Sequence, residues 1–207
     1  MTITTVTRMT GGKTTPIGMT VAPPERRMGL SDLDGFGVDE ELEGIFLANF
    51  MSAFATHERC GVHLYRMAAG LTQIPEWREK YMEFEDHTKD HLRVLERLIE
   101  RLGGDPMYVS PQARMAEFVA TKLMEPILLE GSVDPLTLEL TILEAVTLAE
   151  RKRRLNWKLI RELADQMRET ISKQAMQEAV EQVESDQDEH VRWAETAWLR
   201  MVMAQVM

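Results

Sequence analysis

From Leu136 to Met207 the chain reads LTLELTILEAVTLAERKRRLNWKLIRELADQMRETISKQAMQEAVEQVESDQDEHVRWAETAWLRMVMAQVM, without a glycine or a proline. A run this long, rich in Leu, Glu, Ala, Arg and Gln, is helical on propensity and on the absence of breakers together. It is too long for one globular helix. Its apolar pattern lapses once, from Ala164 to Ser172, through Asp165, Gln166, Arg168, Glu169 and Thr170. A turn between two helices belongs there.

Upstream, glycine and proline mark the other breaks. Asp134 followed by Pro135 is a cap and a first-turn proline for the helix that enters the run. Gly103-Gly104 and Asp105-Pro106 stop an earlier helix that Pro75 opens, and Gly70 ends the one before it. The spacing predicts helices over about 39–69, 75–102, 135–164 and 172–206, with a crossover helix over about 111–129. No segment alternates with β-branched enrichment, so the fold class is all-α: two antiparallel hairpins joined by a long helical crossover. Residues 1–37 hold six of the 12 glycines and three of the eight prolines, with eight threonines in the first 20 positions. They read as a flexible tail, leaving 38–207 as the domain.

Composition excludes several functions. With 24 basic against 34 acidic side chains the net charge is −10, which would repel a nucleic-acid backbone. One cysteine, Cys60, allows neither an intramolecular disulfide nor a thiolate zinc cage. No stretch approaches 18 consecutive apolar residues and no secretory leader opens the chain, so the expectation is no membrane and a cytoplasmic location. Phosphate-cradling loops, nucleophile elbows and Cys-x-x-Cys pairs are missing too. Fifteen methionines suit an adaptable helical core or a helix–helix interface, and the apolar ending Leu199–Met207 suits a subunit contact or the end of the core; a homodimer is the expectation.

The two hairpins resemble each other. Thr56–Arg66 reads THERCGVHLYR and Leu148–Lys158 reads LAERKRRLNWK, so that Glu58 meets Glu150 and Tyr65 meets Trp157. Phe84–Glu96 reads FEDHTKDHLRVLE and Val183–Glu195 reads VESDQDEHVRWAE, so that His91 meets His190. Glu58 and His91 stand equally far from the Ile74-Pro75 connection, and Glu150 and His190 equally far from Thr170. Each Glu–His pair therefore sits at one height across its hairpin. Carboxylates can bridge two metal cations, and imidazole suits iron, manganese or zinc, so the four side chains suggest a di-metal centre. The other reading is a buried Glu–Arg pair, because arginines adjoin both glutamates. Within Arg151-Lys152-Arg153-Arg154, four successive residues spread around the helix, so one or two pair with carboxylates and the rest are solvated.

At these residues the chain resembles the ferritin-like superfamily of four-helix bundles, which includes rubrerythrins and bacterioferritins. That resemblance implies a pair of iron ions, or manganese, and an oxidoreductase handling oxygen species or another small molecule. It implies glutamates on the first and third helices, matched by Glu58 and Glu150, and Glu-x-x-His on the second and fourth. His91 and His190 match the histidines, but Thr88 and Gln187 stand where the glutamates belong. His87 and Asp186, four residues before each histidine, share its face and become substitute ligands. Glu85 and Glu184 lie about 120° round the helix, out of reach. The expected metal set is Glu58, His87, His91, Glu150, Asp186 and His190, with Tyr65 two turns beyond Glu58 as an electron donor. His57 and His63 point elsewhere. Thr88 and Gln187 leave open a centre with two ions, one or none, and with them two alternatives: an iron-storage shell, or a non-enzymatic helical scaffold or interaction protein with a degenerate site.

Overall fold

A computed structural model describes residues 2–5, 16–20, 44–128 and 134–207. Apart from a two-stranded ribbon, the described residues are helical, in keeping with the all-α reading. β1 (Thr2–Thr5) pairs antiparallel with β2 (Pro16–Thr20), placing Thr2 opposite Thr20. The rest of the segment read as a flexible tail lies outside the described residues. So do residues 39–43, where the first helix was expected to begin, and Leu129 and Gly131 at the far end of the crossover.

Five α-helices follow: α1 (Gly44–Leu71), α2 (Pro75–Arg101), α3 (Pro111–Met124), α4 (Pro135–Gln166) and α5 (Ile171–Val206). A 3-10 turn, Glu125–Leu128, extends α3. Proline opens α2, α3 and α4, where its missing N–H costs nothing and its φ already suits a helix. Side chains cap the starts: Ser110 accepts from Ala113 N, Asp134 from Thr137 N and Thr170 from Lys173 N. Thr170 thus makes the turn between α4 and α5 without a glycine. Beyond α2 and its cap Leu102 the chain turns at Gly103, whose φ of 83° is one that a side chain would resist. Gly70 does not end α1. The helix runs on to Leu71, and Glu139 of α4 closes the turn by accepting from Thr72 Oγ1 and Gln73 N.

α1 packs on α2, α4 on α5, α2 on α5 and α1 on α4, while α3 lies against α1. Two apolar clusters divide the interior. One gathers Met51 and Phe54 of α1, Leu95 and Ile99 of α2, Ile160 of α4 and Met176 of α5. The other gathers Tyr65 of α1, Phe84 of α2, Ile142 and Val146 of α4 and Ala194 of α5. α1 and α5 therefore run from the first cluster to the second, and α2 and α4 run back. Between the clusters every one of these helices contributes buried polar side chains: Glu58; Thr88 and His91; Glu150 and Arg153; Gln187 and His190. That layer is the candidate site. Among the described residues no helix is long and apolar enough to cross a membrane.

Candidate functional site

A buried carboxylate needs hydrogen bonds and a countercharge, or it takes up a proton. Here the countercharge is Arg153, itself fully buried between the two glutamates that the repeat singles out. Its Nε lies 2.9 Å from Glu58 Oε2, and its Nη1 donates to Glu150 Oε1. Arg153 follows Glu150 by three residues, so helical geometry puts the two on one face. Gly61 follows Glu58 by three on α1 and clears the space the guanidinium needs. A Cβ on Gly61 would stand 1.8 Å from Arg153 Nη2 and 3.1 Å from its Cζ.

The two carboxylates differ in what they receive. Glu150 Oε1 also accepts a 2.6 Å hydrogen bond from the Tyr65 hydroxyl, and His190 Nδ1 lies 3.4 Å from Oε2. Burial works against the Glu150 charge, but Arg153, His190 and Tyr65 outweigh it and hold its pKa down to about 2. Neither Glu58 oxygen receives an aligned hydrogen bond. Burial dominates there, Glu150 adds repulsion, and the pKa rises to about 7 despite Arg153. One guanidinium thus balances one carboxylate, and below about pH 7 a proton is held at the other.

The remaining expected ligands form two pairs beside this core. His87 Nδ1 and His190 Nε2 are 3.2 Å apart, with the rings stacked 5.4 Å between centroids. His91 Nε2 lies 3.2 Å from Asp186 Oδ2, and Gln187 Nε2 donates to His91 Nδ1 at 3.2 Å. Burial lowers the pKa of both His91 and His190, so both are neutral at pH 7. Gln187, three residues before His190, thus bonds the histidine of the other hairpin, while Thr88 turns its hydroxyl back to Phe84 O at 2.7 Å. Glu85 and Glu184 leave the interior, pairing with Arg66 and Arg161. His63 is exposed, and His57 bonds Ala149 O with Nε2 at 3.0 Å.

Tyr65 sits inside the layer, its ring edge-on to Phe84 and His190. Burial and the neighbouring Glu150 raise its pKa well above the usual value, so it keeps its proton and donates a hydrogen bond to that carboxylate. Its repeat counterpart Trp157 packs edge-on against Phe54 at 4.9 Å as part of the core. Of the basic run, Arg151 pairs with Glu195 and Arg154 with Asp188 on the surface, and only Arg153 turns inward.

The donors as they stand do not fit a pair of bridged metal ions. Both bridging carboxylates face a guanidinium fixed between them, and His91 and Asp186 are engaged with each other. Among the described residues no three His, Cys, Asp or Glu side chains converge on one point. No step through a metal follows from this arrangement. Sequence reasoning placed the layer but not Arg153 at its middle or the glycine that admits it. The available signal was the internal repeat, which aligns Gly61 with Arg153. Comparison with protein-family models, with characterised proteins and with solved structures finds no match to this chain.

Proposed function

We propose that α1, α2, α4 and α5 form a ferritin-like four-helix bundle of two antiparallel hairpins, with α3 as its crossover. In this reading the bundle works without metal, as a non-enzymatic scaffold or interaction protein, homodimeric and cytoplasmic. The observation that carries it is Arg153, which supplies from within the chain the positive charge that iron or manganese would bring. A guanidinium cannot be deprotonated in a protein and has no redox chemistry, so it neutralises without reacting.

The second reading is the di-metal oxidoreductase acting on oxygen or peroxide. The close His87–His190 and His91–Asp186 pairs favour it, since both set potential ligand atoms 3.2 Å apart. It would require Arg153 to leave the carboxylates. Elemental analysis after anaerobic loading with iron(II) or manganese(II) and desalting separates the two. The scaffold reading expects no stoichiometric metal and a melting temperature unmoved by chelator. Two ions per chain, lost in Glu150→Ala, would establish the di-metal centre instead.

A further inference from the structure

α3 crosses α1 without closing onto α4, and the three helices enclose a cavity of about 630 Å³. Its existence follows from residue size. Ala53 and Cys60 on α1, Ala116 and Ala120 on α3, and Ala149 on α4 all face it, and none is large enough to fill the gap. Larger apolar side chains complete the wall, and three of them, Met115, Val119 and Leu148, are 56%, 62% and 49% exposed. Apolar surface left to water costs about 25 cal/mol per Å², so an apolar ligand that covered these side chains would be stabilised. The volume lies within the usual range for small-molecule pockets, about 300–1,000 Å³.

Charge narrows the choice of ligand. In a chain of net charge −10, the ionised residues that line this cavity are, among the described residues, both cations, Lys122 and Lys152. Lys122 is matched by Glu125 at 2.7 Å. Lys152 donates to the neutral Asn156 Oδ1 at 2.7 Å, and among the described residues no carboxylate lies within ion-pairing distance of it. At the floor, His57 has its Nε2 bonded to Ala149 O, and burial keeps it uncharged. The site is an apolar chamber with, among the described residues, one unmatched ammonium at its edge.

We propose that this cavity binds a long-chain fatty acid, with the hydrocarbon in the chamber and the carboxylate on Lys152. The inference does not depend on whether the polar layer holds metal, because none of its expected ligands lines the cavity. The test is titration of the full-length chain with the fluorescent probe dansylaminoundecanoic acid, followed by displacement with oleate. Saturable binding of one probe per chain is expected. Ala120→Phe, which fills the chamber, abolishes it with the helical circular dichroism unchanged. The surface variant Lys152→Ala weakens oleate about fivefold, the worth of one exposed ion pair, and leaves oleyl alcohol, the same tail without charge, unaffected. No saturable binding by the wild type would overturn the proposal, as it would if a second copy or another part of this chain filled the space. Binding that survives Ala120→Phe, or a loss in Lys152→Ala shared equally by oleate and oleyl alcohol, would overturn it as well.

Discussion

Gly61→Ala tests the centre by sign as well as by size. Gly61 lies well inside α1, where alanine is ordinarily preferred by about 1 kcal/mol. If Arg153 were a loosely held side chain, its end would swing aside from the new methyl group and the variant would gain that amount. The structure expects the reverse. The Cβ would stand 1.8 Å from Arg153 Nη2, and the guanidinium has no exposed side to move toward. Expelling it leaves Glu58 and Glu150 buried without their cation, and breaking a buried pair by removing one partner costs about 3–5 kcal/mol. After the helical gain the net loss is about 2–4 kcal/mol, or about 4–16 °C in melting temperature at about 2–4 °C per kcal/mol for a chain of this size. Differential scanning calorimetry at pH 7 reads the shift. A melting temperature equal to or above that of the wild type would refute the idea that Gly61 exists to admit Arg153.

Three further outcomes follow from the same layer. Tyr65→Phe removes the 2.6 Å bond to Glu150 and lowers stability by about 1.5–3 kcal/mol in urea unfolding, the range for a hydrogen bond to a charged group; no change would place the Glu150 charge wholly on Arg153 and His190. Because the Glu58 pKa is raised to about 7, its contribution is fully present below the ordinary glutamate value and is lost as pH rises through 7. Glu58→Gln should therefore become more stable relative to wild type between about pH 5 and about pH 8, whereas His57, lowered to about 4, weakens both proteins alike as the solution is acidified. Moving the cation across the layer, as Gly61→Arg with Arg153→Gly, should recover part of the stability that Arg153→Gly alone loses, by a coupling of about 0.5–3 kcal/mol; strict additivity of the two changes would contradict the equivalence of positions 61 and 153 that the repeat suggests.

Much of the fold was legible because its breaks are chemical. Pro75, Pro111 and Pro135 each open a helix, Asp134 presents a capping carboxylate, and the polar lapse before Thr170 falls where the last turn forms. Gly70 misled because the turn beyond it is closed from outside, by Glu139 some 67 residues away from Thr72, and no local pattern encodes such a partner. The polar layer was legible in part. Counting equal distances from each turn brings Glu58, His91, Glu150 and His190 to one height, and the polar layer contains all four. What a sequence hides is which of four consecutive basic residues turns inward. Arg151, Lys152, Arg153 and Arg154 are equivalent in composition, and only the three-residue offset from Glu150 and a cleared space on the opposite helix select Arg153.

That selection bears on what the layer can do. Two carboxylates brought together in an apolar interior present an excess of negative charge that something must balance. A pair of divalent ions would balance it with exchangeable coordination sites, and those sites are where reactivity enters. Arg153 balances it with a planar set of donors that neither exchange nor titrate, and one positive charge leaves one carboxylate over. The structure resolves the remainder at Glu58, whose raised pKa keeps a proton on the carboxyl across the mildly acidic range. The one labile element left is then a proton with no aligned partner, sealed between two apolar clusters. Such a centre fixes the register of four helices and responds to pH through stability. On the metal-free reading proposed above, a site for a ligand belongs outside it, on the side where α3 stands away from α4.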